Sequence, residues 1–397
     1  MNKDPSVARG HGWLTLNLVS QLAFGLLAMT ICIPSMQDWP ATFGASQAAV
    51  QLTFSAFVAA YGGMQLVWGP WSDRAGRKTL LLVGLVLACA ASLLAAFAPN
   101  LTVLTIARLL QGAGAAAGTV ISRALVQDLF TGNERTRRMA FIGMAMGVTP
   151  ALAMVLGGQM HVHLGWRSIF LLMAALAVAL FIGAWRGLPP DQPSSERQAR
   201  GARELLAGYG RLLREPGFML HVAILVSTTA TFYTFLGGAP VVYKAYGVTP
   251  ERVGWYIMCV PLAYMVGNYV TTRVVRRVST RRIMAMGQAC TVGGIVIVLL
   301  LGFAGVYSPL AVSVPLILLG IGHGLLAPPT LAGTVGLVPA LAGAAAAVAG
   351  VMQQMSGAFG AWVIGLVPHE GHTNLAWLML AWTLLGVVAQ ALLHRRR

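Results

Sequence analysis

Long unbroken apolar runs alternate with short polar stretches along the whole chain. A helix needs about 20 predominantly apolar residues to cross the hydrocarbon core of a bilayer. Such runs are centred near residues 23, 59, 88, 112, 150, 176, 227, 262, 292, 318, 352 and 384, so twelve spanning helices are predicted. Polar and apolar residues do not alternate within the runs, which excludes the strands of an outer-membrane barrel. The first run, Trp13 to Ile33, exceeds the roughly 7–15-residue core of a signal peptide and lacks a small-residue cleavage site, so it counts as a span.

Composition agrees with this pattern. Of 397 residues, 57% are hydrophobic and 10% charged, against about 25% charged in soluble domains. A cytosolic enzyme and a disordered tail are both excluded. The net charge of +16 invites a nucleic-acid reading, but the basic residues form short clusters between apolar runs, so no nucleic-acid partner is expected. Cys32, Cys89, Cys259 and Cys290 all lie within apolar runs at spacings unlike a metal or redox motif, and are expected to pack as free thiols.

The basic residues also orient the chain. With the N-terminus inside, 23 of the 27 lysines and arginines fall on the cytoplasmic side, including Lys3, Arg9, Arg74, Arg77, Lys78, Arg135 and the five arginines from Arg273 to Arg282. Arg167, Lys244 and Arg252 fall outside, and Arg108 lies within a span. This is the positive-inside distribution, and it places both termini in the cytoplasm. One longer polar stretch divides the spans six and six. Pro189, Pro190, Pro193 and Ser194 break helix there, and Glu196–Arg214 reads as a basic amphipathic helix with Leu205, Leu206, Leu212 and Leu213 on one side, suited to an anionic inner leaflet. The expected division is residues 1–186, a linker 187–216, and residues 217–397. Such internal duplication is familiar in membrane carriers.

Between the second and third spans stands Gly69-Pro70-Trp71-Ser72-Asp73-Arg74-Ala75-Gly76-Arg77-Lys78. The chain must stop and reverse within a few residues here. Gly69 and Gly76 supply backbone freedom, Asp73 is suited to capping a helix, and the basic triplet holds the loop inside. The segment resembles the major facilitator signature G-x-x-x-D-R-x-G-R-[RK] in spacing, span number and side. Further segments resemble the Bcr/CflA branch of twelve-span drug:proton antiporters: Val50-Gln51-Leu52-Thr53, Gln65-Leu66, Arg108-Leu109-Leu110-Gln111-Gly112, Asp128-Leu129-Phe130, Pro150-Ala151-Leu152 with Gly157-Gly158, and Gly165-Trp166-Arg167 with Ile169-Phe170. In the second half, Pro240–Tyr243 and Gly324–Pro328 match more loosely. The resemblance implies an all-α fold of two six-helix bundles in a bacterial inner membrane. It also implies alternating access, export of chloramphenicol- or bicyclomycin-like drugs, and protons as coupling ion. The chain departs from the family at three places: Thr30 replaces the acidic residue four positions before Pro34, Met154 stands for a second proline in span five, and Pro328-Pro329 replaces proline-asparagine in span ten.

Candidate functional residues fall into three groups. Asp73, Arg77 and Asp128, with Gly69, Arg74, Gly76 and Lys78, form an acid–base cluster at the inner face, expected to latch the outward-facing state and break on inward opening; a surface ion pair of small energetic value is the alternative. Arg108 costs about 2.5–3.5 kcal/mol to place inside a bilayer. It is either a substrate or coupling residue of the central cleft or a structural arginine bonded to backbone carbonyls and Gln111. No carboxylate lies at mid-membrane, so His323 is the best remaining proton carrier, while His161 and His163 sit at an outer end. Thr30, Tyr61, Tyr233, Tyr264, Asn268, Gln353 and Gln354 are candidate cleft-lining groups, which suits a moderately hydrophobic, weakly polar solute. Pro150, Gly157 and Gly158 stand at the antiporter-type positions. Glycines in spans four, five and eleven fit close packing or rocking of the halves.

No nucleotide-binding loop or metal-ligand cluster occurs in the sequence, so neither ATP nor a cofactor is expected. The expected partners are a small-molecule drug or metabolite, protons and the lipid bilayer, with the chain acting as a monomer and not as an enzyme. The competing readings are an exporter of an anionic or neutral metabolite without proton coupling, and a non-transporting membrane protein on the same fold.

Overall fold

The computed structural model describes residues 5–191, 202–338, 341–368 and 371–395, and among them it contains helices and no strand. The first half comprises α1 (Pro5–Thr30), α2 (Trp39–Phe43), α3 (Gln47–Ala75), α4 (Arg77–Ala96), α5 (Leu101–Leu129), α6 (Gly132–Leu164) and α7 (Trp166–Gly187). A linker helix, α8 (Ala202–Leu213), follows. The second half comprises α9 (Pro216–Ala245), α10 (Pro250–Ile257), α11 (Cys259–Val274), α12 (Thr280–Phe303), α13 (Pro309–Ser313), α14 (Leu316–Gly336), α15 (Ala342–Val363) and α16 (Thr373–Arg395). Of the expected amphipathic segment, Glu196–Gly201 and the side chains of Leu205 and Leu206 lie outside the described residues, as do Pro193 and Ser194; Leu212 is buried and Leu213 exposed.

Eleven spans among the described residues are long and apolar enough to cross a membrane. The run centred on residue 352 is the one that falls short. α15 has 22 residues, about 33 Å at the helical rise, but Gln353, Gln354 and Ser356 lower its hydropathy. Several spans are broken at prolines, which lack the N–H needed by the carbonyl four residues earlier. α10 gives way to α11 at Met258, just before Pro261, and α13 to α14 around Pro315. Polar side chains close other helix starts: Ser46 accepts from the Ala49 N–H at 3.3 Å and Asn100 from that of Val103 at 3.0 Å.

Within the first half, α5 packs on α1, α3 and α4, and α4 packs on α7; within the second, α9 packs on α15 and α16 while α14 packs on α11 and α12. Large apolar residues such as Val83, Ile106, Val178, Ile182, Leu300, Leu384 and Val388 point outward, as contact with lipid tails requires. Two seams join the halves: α3 against α15, and α6 against α10 and α11. Gly157 and Gly158 let α6 approach closely, since a Cβ would collide with the Ile31 carbonyl in one case and the Pro250 carbonyl in the other. The seams run from the end holding Asp38 and Lys244 inward to about Gly62, which faces Gln354, and Gly147, which faces Met265. Toward the other end, where Asp73–Lys78 lies, Gly143, Gly343 and Gly350 have open space where a Cβ would point. The halves are therefore joined at the Asp38 end and part toward the signature end.

Candidate functional site

The signature cluster is built entirely from first-half helices. Arg77 bonds Asp73 through Nη2 at 2.5 Å and Asp128 through Nε at 3.3 Å, and its Nη1 donates to Ser72 Oγ at 2.7 Å. The guanidinium fork thus ties the end of α3 to the end of α5. The Asp73–Arg77–Asp128 contacts are present while the halves part at this end, and these bonds brace α3, α4 and α5 against one another. Asp73, suited by sequence to capping a helix, instead sits in the last turn of α3. The cap on α4 comes from Asp191, which accepts from the Lys78 N–H at 2.8 Å and from the Thr79 N–H and hydroxyl at 2.9 and 2.7 Å. Gly76 makes this possible: its φ is +103°, and a Cβ there would strike the Asp191 carboxylate. Lys78 Nζ adds a bond to the Leu188 carbonyl at 2.8 Å. Gly69 and Arg74 lie in α3 beside this network.

Arg108 is fully buried, at 0% exposure. Helix α1 ends at Thr30, and Ile33 N–H bonds back to the Thr30 carbonyl in a tighter turn. The carbonyls of Ala28 and Met29 are left at a helix C-terminus, where negative potential accumulates. Arg108 donates to them at 2.7 and 3.3 Å and to Gln111 Oε1 at 2.6 Å; Gln111 in turn donates to Ser92 Oγ at 2.7 Å. The guanidinium also lies 4.2 Å from the Phe57 ring centroid. Its hydrogen-bond partners are thus two backbone carbonyls of α1 and Gln111. Thr30, also buried, donates to the Leu26 carbonyl at 2.9 Å.

Between the halves, Tyr233 reaches across from α9. Its ring packs edge-on against Phe54 at 5.9 Å, and its hydroxyl donates to Gln354 Oε1 at 3.1 Å and approaches Met29 Sδ at 3.5 Å. Aromatic, amide and thioether groups thus meet where the parted halves converge. Gln353 donates to Thr229 at 3.1 Å. Tyr61 shares a 2.5 Å hydrogen bond with Thr119 inside the first half. Tyr264 and Asn268 are half-buried on α11, with Asn268 donating to the Tyr264 carbonyl at 3.1 Å. His323 is buried on α14. Pro150 lies inside α6, as do Met154 and the glycine pair.

The joined end holds residues that hydropathy reading does not single out. Buried Gln37 and Gln51 donate to the Pro240 and Gly237 carbonyls at 2.5 and 2.6 Å. Lys244 donates to Asp38 at 2.9 Å and to the Gln37 carbonyl at 2.7 Å, and Asp38 also pairs with His161 at 3.0 Å. Partial burial alone would raise the Asp38 carboxyl, but hydrogen bonds from Lys244 and His161 outweigh it and hold it below the usual carboxylate range. The one sequence signal was Lys244 standing outside against the positive-inside bias.

Residues 18–361 match the family model described as "Major Facilitator Superfamily". "Multidrug resistance protein D" of Escherichia coli (strain K12) is 30% identical over 377 residues, covering 94% of this chain and 93% of that protein. "Chloramphenicol resistance protein" of Pseudomonas aeruginosa is 26% identical, covering 91% and 86%. Among solved structures, a D-xylose-proton symporter superposes with a TM-score of 0.75 at 15% identity, covering 96% of each chain.

Proposed function

The chain belongs to the major facilitator superfamily, a multi-pass transporter of the bacterial inner membrane, and from that premise we propose that it exports small, moderately hydrophobic, uncharged drugs in exchange for protons. Two six-helix bundles, residues 1–186 and 217–397 joined by the linker 187–216, form the moving parts, with α15 bringing the number of spans to twelve and both termini cytoplasmic. On that topology the parted end faces the cytoplasm. The observation that carries the reading is the convergence of the halves on Tyr233, Phe54, Met29 and Gln354 beneath a cleft open at the signature end. A drug entering from the cytoplasm or inner leaflet meets apolar, aromatic and amide groups there, which suits a chloramphenicol-like solute.

The transport cycle would separate Asp38 from Lys244 and the two glutamines from α9, while the signature ends close. The Asp73–Arg77–Asp128 brace would keep the first half rigid through that movement. His323 is the proposed proton carrier, and Arg108 holds the broken end of α1 in register. The resistance proteins among the relatives support drug export, and the lack of a mid-membrane carboxylate in the sequence favours, as second reading, transport that runs without protons.

Proteoliposomes loaded with a chloramphenicol-like drug test the proposal. Flux should follow an imposed pH gradient and should fall strongly in Tyr233→Ala and Asp73→Asn, with expression retained. Drug flux indifferent to the gradient removes proton coupling, and absence of flux across a broad drug panel removes the export reading.

A further inference from the structure

A cavity of about 500 Å³ opens at the signature end, inside the second half and away from the seams, among α9, α11, α12, α14 and α16. Its floor is buried: His221, Thr271, Met284 and Leu393 all lie at or below 5% exposure. Its rim is exposed and carries Arg281 and Thr272, with His394 beside them. The cavity therefore joins an apolar interior to a cationic, hydrogen-bonding mouth.

The arginines at and beside this mouth have no acidic residue near them in sequence. Arg273, Arg276, Arg277, Arg281 and Arg282 follow one another across the turn from α11 to α12, yet no Asp or Glu occurs between Glu251 and Glu370. Among the described residues no salt bridge involves any of the five, and Arg273 instead covers the Tyr269 ring at 5.1 Å. Five arginines at the edge of an apolar slab call for anions from outside the chain, and the cavity offers one of them a built socket.

We propose that this cavity binds an anionic phospholipid, with the phosphate at Arg281, His394 and Thr272 and the glycerol and upper acyl chain against Met284 and Leu393. The position suits a lipid: the turn between α11 and α12 lies where a span ends, at headgroup depth. A free inorganic anion would use the mouth and leave the apolar interior unfilled, which is why the lipid is favoured. The lipid would pin α11, α12 and α16 together within the second half, and the proposal uses none of the residues on which the export reading rests.

Native mass spectrometry of the full-length protein with phosphatidylglycerol and phosphatidylcholine of identical acyl chains provides the test. Wild type should retain phosphatidylglycerol in preference. Arg281→Gln should weaken that retention about fivefold, as loss of one arginine contact implies. Arg282→Gln, which removes the same charge from the same helix but does not line the cavity, should have little effect. Thr272→Trp, which blocks the mouth without altering charge, should weaken it as Arg281→Gln does. Equal losses in R281Q and R282Q, unaltered binding in T272W, or no preference over phosphatidylcholine would each overturn the proposal. Displacement by millimolar inorganic phosphate would assign the mouth to a soluble anion and overturn the lipid assignment.

Discussion

Replacing Arg108 by Met should unfasten the end of α1 without emptying the core. Methionine fills much of the same space but leaves three acceptors without their donor: the Ala28 and Met29 carbonyls and Gln111 Oε1. Each buried acceptor left unpaired costs about 1–3 kcal/mol. Removing the charge recovers the roughly 3 kcal/mol that an arginine costs inside a bilayer, so the net loss is about 3 kcal/mol. Cys32, fully buried two residues beyond α1, reports on it. In a background lacking Cys89, Cys259 and Cys290, maleimide labelling of Cys32 at low reagent concentration, where opening equilibrates before reaction, should accelerate about a hundredfold, since each 1.4 kcal/mol is a factor of ten. Arg108→Lys keeps the charge but not the planar fork, and should fall between the two. Labelling of Cys32 in the methionine variant at the wild-type rate would refute the view that Arg108 fastens α1.

Three further predictions concern the two ends of the molecule and the seam between the halves. Asp191→Ala removes the cap on α4, a loss of about 0.5–2 kcal/mol, and should speed hydrogen exchange of the Lys78 and Thr79 amides while leaving those at Ala88–Ala96 unchanged. Asp38→Asn should weaken the joined end, seen as a broader distance distribution between spin labels flanking Asp38 and Lys244. Because the Asp38 carboxyl is held low in the folded protein, its contribution is fully present above the unfolded value of about 4 and is lost as pH falls through the lower folded value; the same distance should hold from pH 8 to 5 and broaden only in stronger acid. Gly62→Leu should displace Gln354 and part the α3–α15 seam, so that a disulfide engineered between positions 51 and 237 forms poorly.

Much of the helical plan was legible because hydropathy alone sets span length. The apolar runs located the helices, while the breaks before Pro34 and Pro261 emerged only in the folded chain. α15 is less apolar because it carries Gln353 and Gln354, whose partners Thr229 and Tyr233 only the folded chain supplies. Site residues were harder to read. The signature identified Asp73, Arg77 and Asp128 as a cluster, but Asp73 was suited on paper to a cap that Asp191 provides from 113 residues away from Lys78. No local pattern distinguishes Asp191 from any other loop carboxylate. Likewise Gln51 stood out only as part of the family-like segment Val50–Thr53 and Gln37 not at all, and their bonds to α9 appear only once the halves are packed together. Arg108 was recognisable as costly, and the unwinding of α1 before Pro34 explains its position.

The weak apolarity of α15 has a consequence for biogenesis. A translocon sorts each segment by its own partitioning, and two adjacent glutamines make this one a poor candidate for release into lipid by itself. Its amides find partners on α9, and its flank lies against α3, both synthesised earlier. Stable residence of this helix in the bilayer thus draws on α9 and α3, both of which precede residues 342–363 in the chain.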